Sequence, residues 1–317
     1  MTLAPTALQS LDRLGSEFEI DLKVKRDDLL PMTGSGNKVR KMKRILEELE
    51  ALGCDAVVTS GGLQSNHARV TALVAAERGW RCKLVLHGDP KRTRLEGNLL
   101  LMTLAGAEIE VVSAGQVRSA IEKSVFWLQG KGYLPHVIPG GGHCLAGALA
   151  YWDATHELAD QCRTSGWSPD YVVIASGTGA TQAGLVVGLE QMGWLTRVLG
   201  ISVARSKLWG TIAVEQSRDE LRANLGLSGE PTPVEFYDDW VGAGYEKASS
   251  GANEAIRLAA AREGLVLDPT YTGKAFAALL ELRETQVIKR GARVLFWHTG
   301  GLLNLMASRC FDNSAEG

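Results

Sequence analysis

Cysteine is scarce and unpaired in this chain. Its five cysteines, Cys54, Cys82, Cys144, Cys162 and Cys310, are odd in number, widely spaced and without a CxxC pair, which argues against a disulfide framework and a structural zinc site. The six histidines are equally scattered, so no metal site is expected. No apolar run approaches the roughly 20 residues that a membrane helix needs. Charge of one sign is missing too: 34 Lys and Arg against 36 Asp and Glu leave a net charge of -2, which gives no global attraction to nucleic acid or to an anionic membrane. The first residues lack a basic stretch followed by an apolar core and a small-residue cleavage site, so no secretory signal is read there and a cytoplasmic protein is expected. Neither GxxxxGK[ST] nor GxGxxG occurs, which removes the two commonest nucleotide fingerprints.

What is present is the make-up of a globular enzyme. Of 317 residues, 45% are hydrophobic and 22% charged, and that length suits one large domain or two. Apolar strands such as DAVVTSGG, CKLVLHG, EIEVVSA, YVVIASG, VLGISVA and ARVLFWHTGG alternate with helical stretches such as RKMKRILEELEALG, HARVTALVAAERG and GANEAIRLAAAREG. This alternation predicts an α/β protein with parallel sheets covered on both faces. Such sheets bind ligands outside the carboxyl ends of their strands.

Six segments are candidates for a site: GSGNKVRKMK (34–43), SGGLQSNHAR (60–69), PGGGHCLAG (139–147), ASGTGATQAG (175–184), LDPTYTGK (267–274) and HTGGLLN (298–304). ASGTGATQAG follows a β-branched strand and precedes an amphipathic helix, so backbone N–H groups and a helix N-terminus converge with no bulky side chains between them. That suits a phosphate; a tight strand-to-helix turn would use the same glycines. Pyridoxal phosphate needs such a cup, a lysine for its Schiff base and hydrogen-bond partners for its ring oxygen and ring nitrogen. Lys38, residues 177–181 and the Ser65-Asn66 pair supply most of that set. The other cations after Lys38 read as helix support or local positive potential, and Lys91, Arg92 and Arg94 as an exposed basic loop. His67, His143 and His298 read as hydrogen-bonded structural residues.

In order and approximate spacing, SGNKVRKMK, SGGLQSNHAR, ASGTGATQAG, DPTYTGK and HTGG resemble the family containing D-cysteine desulfhydrase and 1-aminocyclopropane-1-carboxylate deaminase. The resemblance runs from KRDD at 25–28 to HTGG at 298–301. It implies an α/β fold type II, tryptophan synthase β-like, pyridoxal 5'-phosphate enzyme with two open three-layer α/β domains and mainly parallel sheets. Residues 1–45 and 160–317 would form the larger cofactor domain and residues 46–159 a smaller inserted one. By the same resemblance Lys38 is the Schiff-base lysine, and Asn66 partners the ring oxygen. Gly177, Thr178, Gly179, Ala180 and Thr181 form the phosphate cup, and Ser65, with Gln64, Asn66 and His67, contacts the substrate. Tyr245 and Tyr271 match the two active-site tyrosines, although the sequence around Tyr245 departs from the family pattern.

Deaminase-like members carry an acid after the tyrosine of DPxYxGK, where this chain has Thr272. A carboxylate against the pyridine nitrogen keeps it protonated and deepens the electron sink, whereas a hydroxyl leaves it neutral. Thr272, Thr299 and His67 thus favour elimination of a good leaving group over opening of a cyclopropane. The expected reaction converts D-cysteine, a small amino-acid substrate, to pyruvate, sulfide and ammonia. The alternatives are an L-cysteate sulfo-lyase, a 1-aminocyclopropane-1-carboxylate deaminase, and a pyridoxal phosphate or amino-acid binding protein without turnover. A homodimer is expected from the resemblance alone.

Overall fold

Runs such as YVVIAS and RVLFWH place apolar side chains on both faces of a strand, and a strand of that kind is stable only when covered from two sides. The computed structural model, which describes residues 3–89 and 94–311, provides that cover twice. The elements in chain order are β1 Leu8–Ser10, α1 Asp12–Glu17, β2 Asp21–Arg26, α2 Asn37–Ala51, β3 Ala56–Gly62, α3 Asn66–Arg78, β4 Arg81–His87, α4 Gly97–Leu104 and β5 Glu108–Val112. There follow α5 Val117–Gly130, β6 Pro135–Ile138, α6 Leu145–Ser165, β7 Tyr171–Ser176, α7 Ala180–Gln191, β8 Arg197–Ser202 and α8 Lys207–Asn224. The chain continues with β9 Glu235–Tyr237, α9 Ser250–Glu263, α10 Thr272–Glu284, β10 Arg293–His298 and α11 Leu302–Met306.

The larger sheet has the order β1-β2-β10-β7-β8-β9 and the smaller β5-β4-β3-β6. Every strand pair is parallel except β1 with β2. On one face of the larger sheet Ile256, Phe276 and Leu279 of α9 and α10 meet Val173 and Phe296; on the other, Tyr151, Leu158 and Leu185 of α6 and α7 meet Val172 and Trp297. The smaller sheet is covered by α2, α3 and α4 on one face and by α5 on the other. A division at residue 45 falls inside α2, whose Val39, Met42, Ile45, Leu46 and Leu49 all join the smaller core. Helix α7 reaches α6 closely because Gly184 has no side chain: a Cβ there would lie 2.3 Å from the Ala148 carbonyl oxygen. Among the described residues no helix is long and apolar enough to cross a membrane.

One charged group ties these layers together. Asp27, directly after β2, is fully buried. Its Oδ1 accepts from Arg40 Nη2 at 2.8 Å, Arg40 Nε at 3.0 Å and the Thr6 hydroxyl at 3.0 Å; its Oδ2 accepts from the Tyr151 hydroxyl at 2.7 Å and Trp297 Nε1 at 2.8 Å. Burial alone would raise this carboxyl, but the Arg40 guanidinium and the Trp297 and Tyr151 donors hold it below the usual carboxylate range. Glu157 of α6 extends the network to Arg40 and Lys25. Removing one partner of such a buried pair strands the other charge, which costs about 3–5 kcal/mol. Asp27→Ala is therefore expected to lose about that much in urea unfolding, and a loss under ~1 kcal/mol would contradict the central place given to this carboxylate.

Candidate active site

The carboxyl ends of β3, β7 and β10 point at one another's following turns, and the N-termini of α2, α3 and α7 converge there on a cavity of about 270 Å³. At its floor β7 ends in Ser176 and the chain turns through Gly177 and Gly179 into α7. Gly179 has φ of 110°, a conformation that disfavours any side chain, and a Cβ on it would lie 3.2 Å from the Ala213 carbonyl oxygen. A Cβ on Gly177 would meet only Val203, at 3.5 Å. The turn leaves helix N–H groups open toward the cavity, as an anion requires, and the buried Ser176 hydroxyl beside them has no partner.

Lys38 is the second residue of α2, and its position follows from the loop before it. Gly36, at φ of 100°, passes so close to β10 that a Cβ would lie 2.6 Å from the Thr299 carbonyl oxygen, and the Asn37 N–H donates to that oxygen at 3.0 Å. Buried Arg69 of α3 holds the same loop by donating to the carbonyls of Thr33 and Ser35. The Lys38 amine contacts the Gly141 carbonyl at 3.2 Å. Burial with no acid beside it brings this amine down to about 8. Lys41, one turn on, is buried as well and reaches the same carbonyl at 3.3 Å; burial and the nearby Lys38 hold it well below the usual lysine range. The basic run is thus not a solvated face: Arg40 and Lys41 are both buried.

Lys38, Ser65, Asn66, His67, Gly177, Thr178, Gly179, Thr181, Tyr245, Tyr271 and Thr299 all line the cavity. Ser65 caps α3, its hydroxyl accepting from the Ala68 N–H at 3.2 Å, and Asn66 Oδ1 accepts from Asn98 at 3.0 Å. The hydroxyls of Tyr245 and Tyr271 hydrogen-bond to each other. His67 Nε2 pairs with the Thr59 hydroxyl at 2.9 Å, and burial with Lys38 and Lys41 nearby depresses its affinity for a proton. It is a neutral wall residue.

Three expected residues lie off the wall. The Thr272 hydroxyl, expected at a ring nitrogen, instead donates to Asp268 Oδ1 at 2.7 Å and accepts from the Asp268 N–H at 2.8 Å. Thr272 is the first residue of α10 and is fully buried, and it is Asp268 that accepts the N–H groups at the helix start. Gln64 turns outward to the Asn98 N–H at 2.8 Å and the Glu96 carbonyl at 3.1 Å. Ala180 is the first residue of α7, and its side chain packs inward. Asn37, Ser60, His87 and Arg205 line the cavity without having been singled out. His87 is the last residue of β4 and Arg205 lies three residues past the end of β8, so the strand-end rule that marks the glycine turns also points to them. No Asp or Glu lines the cavity among the described residues.

The chain matches the family model described as pyridoxal-phosphate dependent enzyme over residues 1–300. A protein of Serratia proteamaculans (strain 568) named D-cysteine desulfhydrase is 36% identical over 308 residues, covering 95% of this chain and 93% of that protein. One of the same name from Klebsiella pneumoniae is 36% identical over 313 residues, covering 96% and 94%. A crystal structure described as an ACC deaminase homologue superposes with a TM-score of 0.87 at 36% identity, covering 96% of this chain and 91% of that one. The fold is thus fold type II. The residues present fit the cofactor that the family takes: a cup without side chains for its phosphate, and a buried amine facing the same cavity.

Two outcomes are expected. Gly179→Ala narrows the cup, so the Kd for pyridoxal phosphate in an absorbance titration should rise at least about tenfold, or ~1.4 kcal/mol; an unchanged Kd would show that the turn does not hold the phosphate. The neutral amine is the nucleophile, and a lysine lowered to about 8 is neutral above that pH. Cofactor uptake by stripped enzyme should therefore quicken as pH rises through about 8, and a midpoint near that of free lysine would refute the burial argument.

Proposed function

The chain belongs to the pyridoxal-phosphate dependent enzyme family, and on that ground we propose that it is a carbon–sulfur lyase converting D-cysteine to pyruvate, sulfide and ammonia by β-elimination. The observation that carries the choice is the wall chemistry: among the described residues no carboxylate lines the cavity, and the residue after β10 is Thr299. A hydroxyl at a ring nitrogen leaves it neutral, which suffices for expelling a thiolate and is poor support for opening a cyclopropane.

When bound, pyridoxal phosphate would supply a sink for the electrons released at the substrate Cα. The chain's own residues do the rest. The N–H groups of 177–181 and the N-terminus of α7 would hold the phosphate, and Asn66 and Thr299 on the cavity wall would serve the ring's polar atoms. Ser65 and the N-terminus of α3 take the substrate carboxylate. Lys38 removes the Cα proton, its amine being neutral at modestly alkaline pH. The Cβ–S bond breaks with loss of sulfide, and water completes the conversion to pyruvate and ammonia.

Arg205 on the cavity wall supports a second reading, L-cysteate as substrate, since a guanidinium suits a sulfonate leaving group. Of the basic loop that suggested the same, Lys91 and Arg92 lie outside the described residues. On the family resemblance we also take the enzyme to be a cytoplasmic homodimer, which sedimentation and cell fractionation test.

Pyruvate release from a panel of D- and L-amino acids decides among these readings. D-cysteine is expected to lead the panel, and Lys38→Ala to lose the visible cofactor absorbance together with at least ~10²-fold in rate. Faster turnover of L-cysteate or of 1-aminocyclopropane-1-carboxylate would reassign the substrate. Cofactor binding with no turnover of any substrate would leave a binding protein.

A further inference from the structure

Asn66 opens α3 on the cavity wall. Its carboxamide has a donor end and an acceptor end of nearly equal size, so packing alone cannot choose which of them meets a ligand. A neighbour makes the choice. Asn66 Oδ1 accepts from Asn98 Nδ2 at 3.0 Å, which engages the acceptor end and leaves the Asn66 N–H groups as the end available to a ligand. Among the described residues those N–H groups make no hydrogen bond.

Asn98 is itself held in one orientation. It is the second residue of α4, fully buried and off the cavity wall. Besides Asn66, its Nδ2 donates to the Gln64 backbone carbonyl at 3.0 Å and to Asn304 Oδ1 at 3.2 Å. A backbone carbonyl can only accept, so it fixes the polarity of both amides that reach it. Asn304 of α11 is the second of these: its Nδ2 donates to the same Gln64 carbonyl at 2.9 Å, which turns its oxygen toward Asn98. An Asn98 amide turned end for end would set its oxygen against three oxygens. In the orientation it has, Asn98 Oδ1 is buried without a hydrogen-bond partner, so the network leaves one acceptor unmatched and keeps every donor aimed correctly.

The start of α4 is docked to make this contact. Gln64 Oε1 accepts from the Asn98 N–H at 2.8 Å while Gln64 Nε2 donates to the Glu96 carbonyl at 3.1 Å, so one side chain clasps the chain on both sides of Gly97. Gly97 has φ of 55°, and a Cβ on it would lie 2.6 Å from Gln64 Oε1 and 2.8 Å from the Leu303 carbonyl oxygen. Only glycine lets α4 begin in so narrow a gap between Gln64 and α11. Gln64, which does not reach the cavity, thus has its part in placing Asn98.

We propose that Asn98, backed by Asn304, is a positioning residue that makes Asn66 a hydrogen-bond donor toward the cofactor, so that the site favours the ionised form of the ring oxygen. This rests on the reading of Asn66 as the partner of that oxygen and is independent of which substrate is turned over. An N–H group stabilises an anionic oxygen and a carbonyl oxygen repels it, so the two orientations of one amide have opposite effects on the ring. Asn98 touches neither cofactor nor substrate. It acts by denying Asn66 the orientation that would present its oxygen.

Titrating stripped protein with pyridoxal phosphate and following absorbance measures the Kd and the state of the ring oxygen together, because the bound ring absorbs at longer wavelength with that oxygen ionised than with it neutral. Asn66→Ala is expected to raise Kd at least about tenfold and to move absorbance to shorter wavelength. Asn98→Asp has only acceptors to offer, so the Asn66 amide should turn to donate to it and the spectrum should move the same way. Asn98→Ala removes the constraint without burying a charge, and should raise Kd about threefold with part of the spectral shift; it carries the test alone if Asn98→Asp does not fold. In Asn66→Ala/Asn98→Ala the Kd and spectrum should equal those of Asn66→Ala, since both changes act through one amide. A merely structural Asn98 predicts the same added loss in either background and no spectral shift, which overturns the proposal. A shifted Asn66→Ala beside an unshifted Asn98→Ala does so too. An unshifted Asn66→Ala overturns the reading of Asn66 and the proposal with it, whereas failure of the substrate panel touches only the elimination reading.

Discussion

The buried carboxylate of Asp27 is the constraint on which the site depends. It is bound by side chains from the N-terminal segment, α2, α6 and the carboxyl end of β10, which are the pieces that must meet for the two sheets to face one cavity. Arg40, its main partner, is two residues beyond Lys38 on the same helix. Two residues turn an α-helix by about 200°, so one side chain points away from the other. The ion pair that draws Arg40 toward the larger sheet therefore turns Lys38 the opposite way, into the cavity. Close packing of Gly36 on Thr299 fixes how far along its axis α2 can slide.

Electrostatics inside the cavity follow from what is kept out of it. Lys38 and Arg205 are on the wall and Lys41 lies behind it, with no carboxylate on the wall among the described residues to match them. An unmatched ammonium in such a place is costly, and for a lysine the cost is relieved by shedding the proton. The arrangement is therefore poorly balanced in itself and well suited to receiving a dianionic phosphate and a substrate carboxylate. A wall acid would neutralise the site before either arrived.

Strand and helix alternation was legible because it depends on local periodicity, and the glycine turns were legible because only glycine permits their backbone. Thr272 was not. Its neighbour Tyr271 faces the cavity, but residues at the first turn of a helix diverge by about 100° per position, and the Thr272 hydroxyl had a nearer partner in Asp268. Nor does GSGNKVRKMK reveal that Arg40 and Lys41 are buried, because their partners Asp27 and Gly141 stand 13 and 100 residues away. A charge run reads as a surface until the long-range partner is known. Arg205 escaped for a related reason: its strand end carries no glycine turn to mark it.

Among the described residues the acid Asp268 stands one layer behind the wall, where it acts through the backbone. Asp268 accepts from the N–H groups of Thr270, Tyr271 and Thr272 at 2.9, 3.0 and 2.9 Å and so sets where Tyr271 enters the cavity. Burial raises this carboxyl to about 6 in spite of those donors, so it is mostly ionised at neutral pH and takes up its proton as pH falls through that value. A carboxylate in direct contact with the reacting atoms would repel both the substrate carboxylate and the departing thiolate. At one remove, behind a phenol that stays neutral across the working range, it can fix geometry or hold a proton without presenting its charge to either anion. The same wall can then bind two anions without an acid beside them to repel either.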